Sequence, residues 1–380
     1  MMRIRQRHRC GFAALLMSAL AGVAVAQPTT QPAVLDYSGY HKTYTLPISK
    51  LNGQPVDFDK LGGMNVRVSI NGGPPLLLQV DTGSWGIVVG DQDVPNLDPN
   101  APEGNLLYSS SGNGFHGVWS EATVKFIDAK DENGNVATAV VPVLAAKLYK
   151  FTPGAVNSGN RTAPSEKLHP TPRMLGVGSG RGDETNQFRN PFVNLNEMRD
   201  GSMRRGYTIT REGITLGLAA DKVGDGYVYE KLNERKGKPT TWPTGPEPVA
   251  KDWDAPTGYA VVGGKKFDHF GMLLDTGLTN FMIEYPEITT QKTVPNGTPV
   301  EVFLQGGKLK YGFTVGDKTD PDAPPKVTEV HYENMRLINT GLRALANFDY
   351  LYDADGGYFG LRPTRKDVPT TYPASRPTYE

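Results

Sequence analysis

Short runs of alternating apolar and polar residues are the dominant pattern along this chain. Residues 64–70 alternate with a period of two, an Asn-Gly-Gly-Pro-Pro turn occupies 71–75, and residues 76–80 form a second, mostly apolar run. This arrangement predicts a β-hairpin. A second hairpin is predicted from about Trp119, through the Asn133-Gly134 turn, to Val143.

Amphipathic helices are scarce in the pattern. The 380 residues include 44 glycines and 30 prolines, which interrupt nearly every window long enough for a helix. The sequence therefore predicts an all-β fold. The chain has 40 basic residues (lysine and arginine) and 40 acidic residues (aspartate and glutamate). This balance provides no excess of positive charge for binding nucleic acid.

The first 26 residues have the organisation of a secretory signal peptide. Four arginines precede an apolar run at 12–25, and the segment ends Ala24-Val25-Ala26. The run is too short for a membrane span, so we expect no stable membrane insertion after cleavage. The predicted location is periplasmic or secreted. Cleavage also removes Cys10, the only cysteine, so the mature chain has no disulfide.

A short internal repeat is the most informative feature. Residues 77–89 read Leu-Leu-Gln-Val-Asp-Thr-Gly-Ser-Trp-Gly-Ile-Val-Val, and residues 271–283 read Gly-Met-Leu-Leu-Asp-Thr-Gly-Leu-Thr-Asn-Phe-Met-Ile. In both segments apolar residues precede the aspartate, Asp81 or Asp275, and an apolar run begins six residues after it. Two Asp-Thr-Gly triplets in matched frames indicate a genuine repeat.

The repeated triplet has a chemical rationale. A carboxylate at the end of a buried apolar strand is costly unless the protein uses it. Gly83 and Gly277 allow a sharp turn and leave room for a close neighbour. Thr82 and Thr276 carry hydroxyls that can bond locally or to the opposite loop. Two such loops face to face would make two carboxylates share a proton around one water, a general acid and base that needs no metal or cofactor.

These residues resemble the pepsin-like aspartic proteases. The similarity covers about residues 60–363. It includes the hairpin at 68–75, the strand at 213–217, and Gly341, Asp353 and Gly360-Leu361 near the end, and Met174-Leu175-Gly176 resembles the element that closes the family's active-site loop in the N-terminal lobe. The resemblance implies a bilobal all-β fold with lobes at 58–200 and 205–364. It also implies that Asp81 and Asp275 are catalytic, supported by Thr82, Gly83, Ser84, Thr276, Gly277, Gly176 and Gly341, and that a peptide or protein substrate lies between the lobes.

The Gly-rich stretch at 108–119 lies where the family has a flexible hairpin flap, so the resemblance implies a flap here. Tyr108 is the candidate for the tyrosine that covers the substrate, with Gly112, Gly114 and Phe115 as further flap residues. The alternative interpretation is an ordinary surface loop with core aromatics.

Two positions depart from the family pattern. Ser84 resembles the hydroxyl that supports the first carboxylate, but its counterpart Leu278 can donate nothing, and Asn339 is polar where the family is apolar. The sequence therefore predicts that Asp81 carries most of the negative charge and Asp275 most of the shared proton.

Two functional hypotheses follow, with a secreted structural β-protein as a third and weaker one. The first is an exported aspartic endopeptidase acting as a monomer. The second is a catalytically weak or inactive pepsin-like protein that binds a peptide or glycan. Residues 27–57 are expected to form either a first strand or a short propeptide, and residues 365–380 a disordered tail. The histidines are scattered without metal-ligand spacing.

Overall fold

The computed structural model describes residues 35–50, 54, 56, 63–131, 133–156, 161–182, 186–236, 250–333 and 335–365. From Tyr37 onward these residues belong to one compact unit, and Leu35 and Asp36 belong to a separate one. The predicted signal peptide lies outside the described residues, as do residues 27–34 and residues 366–380 of the predicted tail.

The described residues are mostly β, as the pattern predicts. The strands are β1 (Tyr44–Leu46), β2 (Asn65–Ile70), β3 (Leu76–Asp81), β4 (Trp85–Gly90), β5 (Glu103–Tyr108), β6 (Asn113–Lys130), β7 (Val136–Phe151), β8 (Ser165–Leu168), β9 (Arg173–Val177), β10 (Gly206–Thr210), β11 (Gly213–Leu216), β12 (Val228–Lys231), β13 (Thr257–Val262), β14 (Lys265–Leu273), β15 (Phe281–Tyr285), β16 (Lys292–Thr293), β17 (Pro299–Leu304), β18 (Leu309–Thr314), β19 (Val327–His331), β20 (Leu337–Asn339), β21 (Phe348–Asp353) and β22 (Tyr358–Pro363).

Helices in the described ranges are single turns. The α-helices are α1 (Asn196–Arg199) and α2 (Ala220–Val223), and the 3-10 turns are Asp91–Asp93, Gln187–Arg189, Pro191–Val193, Gln305–Gly307 and Leu342–Ala346. In the part of the chain that the structure describes, no helix has the length and apolar character needed to cross a membrane.

Both predicted hairpins are confirmed. β2 pairs with β3 in antiparallel fashion, and the turn is closed by a 2.8 Å hydrogen bond from the Gly73 amide to the Ile70 carbonyl. β6 and β7 form the second, much longer hairpin, paired from Asn113 opposite Phe151 to Lys130 opposite Val136. The apolar faces of both hairpins are buried, which is why their registers follow the alternation.

Two eight-stranded sheets share the same arrangement of central strands. The first has the order β5-β6-β2-β3-β9-β4-β7-β8 and the second β16-β19-β15-β20-β14-β13-β17-β18. In the first sheet, antiparallel and parallel pairs alternate: β2–β3 is antiparallel, β3–β9 parallel, β9–β4 antiparallel and β4–β7 parallel. The second sheet repeats this alternation in the pairs β13–β14, β14–β20, β20–β15 and β15–β19. The internal repeat of the sequence is therefore a structural repeat.

A six-stranded sheet, in the order β1-β11-β10-β21-β22-β12, draws its strands from distant parts of the chain. β1 lies at its edge, with Thr45 opposite Thr215 of β11. Within the N-terminal segment, residues 44–46 are thus a strand of this sheet, and whether the segment is a propeptide stays a prediction. The buried carboxylate of Asp353 on β21 is held by the Arg204 guanidinium at 2.8 Å.

Candidate active site

Asp81 and Asp275 occupy equivalent positions in the two repeated sheets. Asp81 is the last residue of β3, and Asp275 lies two residues after β14. The side chains are 4% and 8% exposed, respectively. The structural repeat thus delivers each carboxyl group to the end of a buried strand.

The two Asp-Thr-Gly loops face each other directly. A Cβ atom on Gly83 would lie 2.3 Å from the Asp275 Oδ2 atom, and a Cβ atom on Gly277 would lie 2.5 Å from the Asp81 Cγ atom. Neither glycine has a positive φ. Glycine is needed at these positions because each loop packs against the carboxyl group of the other, and not because of backbone conformation.

Thr82 and Thr276 join the loops through reciprocal hydrogen bonds. The Thr82 amide donates to Thr276 Oγ1 and the Thr276 amide donates to Thr82 Oγ1, each at 3.0 Å. Each hydroxyl then donates to the strand of the opposite repeat, Thr276 to the Val80 carbonyl at 2.7 Å and Thr82 to the Leu274 carbonyl. Because both threonines are buried, the four bonds hold the two loops at a constant separation.

Each carboxylate accepts a similar pair of hydrogen bonds. The Gly83 amide donates to Asp81 Oδ1 at 2.7 Å, and the Gly277 amide donates to Asp275 Oδ1 at 2.8 Å. The Ser84 hydroxyl donates to Asp81 Oδ2 at 2.6 Å. The corresponding donor to Asp275 comes from a different part of the chain.

That donor is Asn339, whose side-chain amide lies 2.7 Å from Asp275 Oδ2. The Gly341 amide donates to Asn339 Oδ1 at 3.0 Å, and this bond orients the asparagine so that its NH₂ group faces the carboxylate. The sequence-based expectation that Asp275 has no side-chain donor, because Leu278 cannot supply one, is therefore wrong. The inferred division of charge between the two aspartates loses its basis.

Gly176 and Gly341 occupy matched positions beside the two loops. Gly176 pairs with Asp81 on one side and Gly86 on the other. A Cβ atom on Gly176 would lie 2.6 Å from the Trp85 backbone, and one on Gly341 would lie 2.9 Å from the Leu278 carbonyl oxygen. Gly341 also has a φ of +62°. Both positions bring a strand against the turn that follows an aspartate, which leaves no space for a side chain.

The carboxylate pair retains a proton to a higher pH than an ordinary aspartate does. Burial, followed by the negative charge of Asp275, raises the pKa of Asp81 to about 8, although hydrogen bonds from Ser84 and Gly83 act in the opposite direction. The titration belongs to the pair and not to one residue. While the pair holds one proton, the site offers one carboxylate and one carboxylic acid, a general base beside a general acid.

Tyr108 lies at the end of β5, where the chain turns into β6. The Gly112 amide donates to the Tyr108 carbonyl at 2.9 Å and Gly112 has a φ of +74°, which closes the hairpin tip. Gly114 lies opposite Leu107, and the Phe115 ring meets the Tyr108 ring edge-on, with centroids 6.0 Å apart. The sequence-predicted hairpin is present, and its aromatics also pack on a small apolar cluster.

The Tyr108 hydroxyl is buried, and Asp81 lies near enough to affect its pKa. Burial and the charge of Asp81 raise the pKa of Tyr108 well above its ordinary value, and the hydroxyl lies beside Ser84. The tyrosine therefore stays protonated and next to the carboxylate pair. Whether the hairpin moves over a bound molecule stays a prediction.

The described ranges contain no group of three or more histidine, cysteine, aspartate or glutamate side chains arranged to hold a metal ion. The residues brought together are those that the sequence singled out, with Asn339 added in a role that the sequence did not indicate. Its only signal was a polar residue at a position expected to be apolar.

No model of a known protein family matches the chain, and no curated protein matches it either. What the site does must therefore be argued from its geometry.

Proposed function

We propose that this protein is an aspartic endopeptidase with a bilobal, pepsin-like fold and lobes near 58–200 and 205–364. The observation that carries the proposal is the pair of buried carboxyl groups, Asp81 and Asp275, held by matched hydrogen bonds on two opposed loops. The equivalent strand pairings of the two eight-stranded sheets support the assignment of one aspartate to each lobe.

In the proposed reaction the ionised carboxyl group accepts a proton from water while the water oxygen attacks the peptide carbonyl carbon. The other carboxyl group donates its proton to the carbonyl oxygen, which yields a tetrahedral diol. The C–N bond then breaks as the protonated carboxyl group donates its proton to the departing nitrogen and the other carboxylate takes a proton from one diol hydroxyl, which leaves a carboxylic acid and an amine. One water is consumed, and the pair ends with one proton, as it began.

The hydrogen-bond network suits this sequence of steps. Both oxygens of each carboxyl group accept a hydrogen bond, which keeps the groups oriented without adding a positive charge. The donors are Gly83 and Ser84 for Asp81, and Gly277 and Asn339 for Asp275. The threonine cross-links limit relative movement of the two loops. Preorganisation of this kind lowers the reorganisation needed in the transition state.

The alternative is a pepsin-like protein that binds a peptide or glycan without turnover. Leu278, which stands where Ser84 stands in the first loop, favours it because the two loops are chemically unequal. The hydrogen bond from Asn339 weakens this argument, since it replaces the missing donor.

The test is hydrolysis of a denatured protein by the purified chain between pH 3 and 8, with and without pepstatin. We expect cleavage by the wild type and none by Asp81→Asn or Asp275→Asn, because an amide keeps the shape but cannot share the proton. Asp221→Asn, which removes a carboxylate with a 63% exposed side chain, is the matched control and should cleave normally. Near-normal turnover by either dyad variant would contradict the two-carboxylate mechanism, and an inert but folded wild type would favour the binding protein.

The natural partner in this proposal is a peptide or protein substrate. Export through the segment 1–26, the monomeric state and the absence of a cofactor belong to the same proposal and rest on the sequence alone.

A further inference from the structure

A cavity of about 310 Å³ lies between the tip of the β5–β6 hairpin and strands β15 and β19. Ser109 and Ser110 form its hairpin side, and Met282, Glu284 and Val330 lie on the strand side. This volume is at the lower end of the range for ligand sites. A cavity of this volume has room for one long side chain of a larger ligand.

The cavity adjoins the carboxylate pair. Ser109 follows Tyr108, whose hydroxyl lies beside Ser84. On the other side, Met282 pairs in register with Asn339, the residue that donates to Asp275. The cavity therefore lies close to the path of a chain bound across the two aspartates.

Glu284 is the unusual member of the lining. Its side chain lies on the same face of β15 as Met282, and the residue is 8% exposed. Among the described residues, no hydrogen bond or ion pair reaches its carboxyl group. Burial raises the pKa of Glu284 to about 7, attraction to Arg181 lowers it, and repulsion from Asp275 raises it. A buried acid with no hydrogen bond or ion pair within the described ranges is unfavourable for stability, even with the more distant attraction of Arg181, and this points to a binding role.

We infer that this cavity is a subsite for a cationic side chain, lysine or arginine, of the bound peptide, with Glu284 as its counter-ion. The inference rests on the proposed function in one respect, namely that the ligand is an extended peptide lying across Asp81 and Asp275.

The lining fits both parts of such a side chain. Lysine and arginine have an apolar stem and a charged head. Met282, Val330 and Val156 supply apolar walls for the stem. The head reaches the Glu284 carboxyl group, whose residue is already largely buried in the folded protein, so that binding removes little further water from it. A neutral or acidic side chain would leave Glu284 unpaired or would repel it.

The test uses acetylated, amidated alanine octapeptides in which a hydroxyethylene group replaces the central peptide bond, so that they cannot be cleaved. Each carries lysine or norleucine at one of the six positions nearest that group. Norleucine matches the lysine stem and lacks its charge. Dissociation constants are measured at pH 7.5 for the wild type, Glu284→Gln, Glu284→Asp and the control Glu301→Gln. Glu301 is an exposed carboxylate on β17, paired with Lys310 at 3.5 Å.

We expect lysine at one position to bind at least tenfold more tightly than norleucine in the wild type and in Glu301→Gln. Glu284→Gln should reduce the ratio to about two or less, and Glu284→Asp, which keeps the charge on a shorter side chain, should retain part of it. The inference is overturned if no position prefers lysine, or if the preference persists in Glu284→Gln.

Hydrolysis of ordinary peptides is scored separately. A lysine preference that depends on Glu284, without any cleavage, would support the subsite and contradict the endopeptidase activity. Cleavage without a lysine preference would support the endopeptidase activity and contradict the subsite.

Discussion

The side-chain amide of Asn339 donates a 2.7 Å hydrogen bond to Asp275, from a residue 64 positions further along the chain. In the other repeat the equivalent hydrogen bond to Asp81 comes from the hydroxyl of Ser84, only three positions further along the chain. Asn339 takes the register position of Met174, since Asn339 lies opposite Leu273 of β14 as Met174 lies opposite Gln79 of β3. The two halves thus reach a similar carboxylate environment by different means.

The first prediction concerns this exchange of donors. Asn339→Ala should lower kcat/KM by about ten- to a hundredfold, because a hydrogen bond to a charged group contributes about 1.5–3 kcal/mol. It should also move the acidic limb of the pH profile to higher pH. Leu278→Ser in the Asn339→Ala background should recover much of the activity by placing a hydroxyl where Ser84 has one. Failure of the double variant to exceed Asn339→Ala would argue that the asparagine acts on loop structure instead.

The second prediction concerns the alkaline limit of activity. The pKa of Asp81 is raised to about 8, so the pair holds its shared proton below that pH and loses it above. Since the proton is the general acid, kcat/KM should fall about tenfold per pH unit above pH 8. Ser84→Ala removes a bond that favours the ionised form and should shift this limb to higher pH. A limb that moved to lower pH in Ser84→Ala would contradict the assignment.

The third prediction concerns the two loop glycines. Gly83→Ala and Gly277→Ala would each place a methyl group within 2.5 Å of the opposite carboxyl group. We expect loss of hydrolysis and a decrease of about 1–3 kcal/mol in the free energy of unfolding, measured by denaturant titration. Gly39→Ala, where no atom lies within 4 Å of the added carbon, is the control and should change neither quantity.

The fourth prediction concerns the threonine cross-links. Thr82→Val and Thr276→Val keep the shape and remove the hydroxyls, so each should lower the free energy of unfolding by about 1–3 kcal/mol. Because each hydroxyl accepts from the backbone of the other residue, the effects should not add in the double variant. Additive effects in this double-mutant cycle would mean that the two hydroxyls act independently.

The fifth prediction concerns the hairpin that ends at Tyr108. If it closes over the substrate, Tyr108→Ala should lower kcat and raise KM together. Tyr108→Phe keeps the edge-on contact with Phe115 and removes only the hydroxyl beside Ser84, so it separates packing from polar contact. Reduced stability with unchanged kinetics would instead assign Tyr108 to the apolar cluster alone.

The local features of this protein were predictable from its sequence. The hairpin turn at 71–75, the alternation in β2 and the two Asp-Thr-Gly segments depend on residues close together along the chain, and backbone geometry acts over that range. The same segments placed Asp81, Asp275, Thr82 and Thr276 correctly at the ends of their strands. The shortage of helices followed from the frequency of glycine and proline.

Only the tertiary structure revealed which distant residues meet. The donation from Asn339 to Asp275 depends on the register of β20 between β14 and β15, and the exposure of Glu284 to a cavity depends on the packing of β15 and β19 beside the hairpin tip. The six-stranded sheet joins β1 to strands more than 160 residues away. Such contacts are set by the way strands pair across long loops, and the alternation within a single strand carries no information about its neighbours.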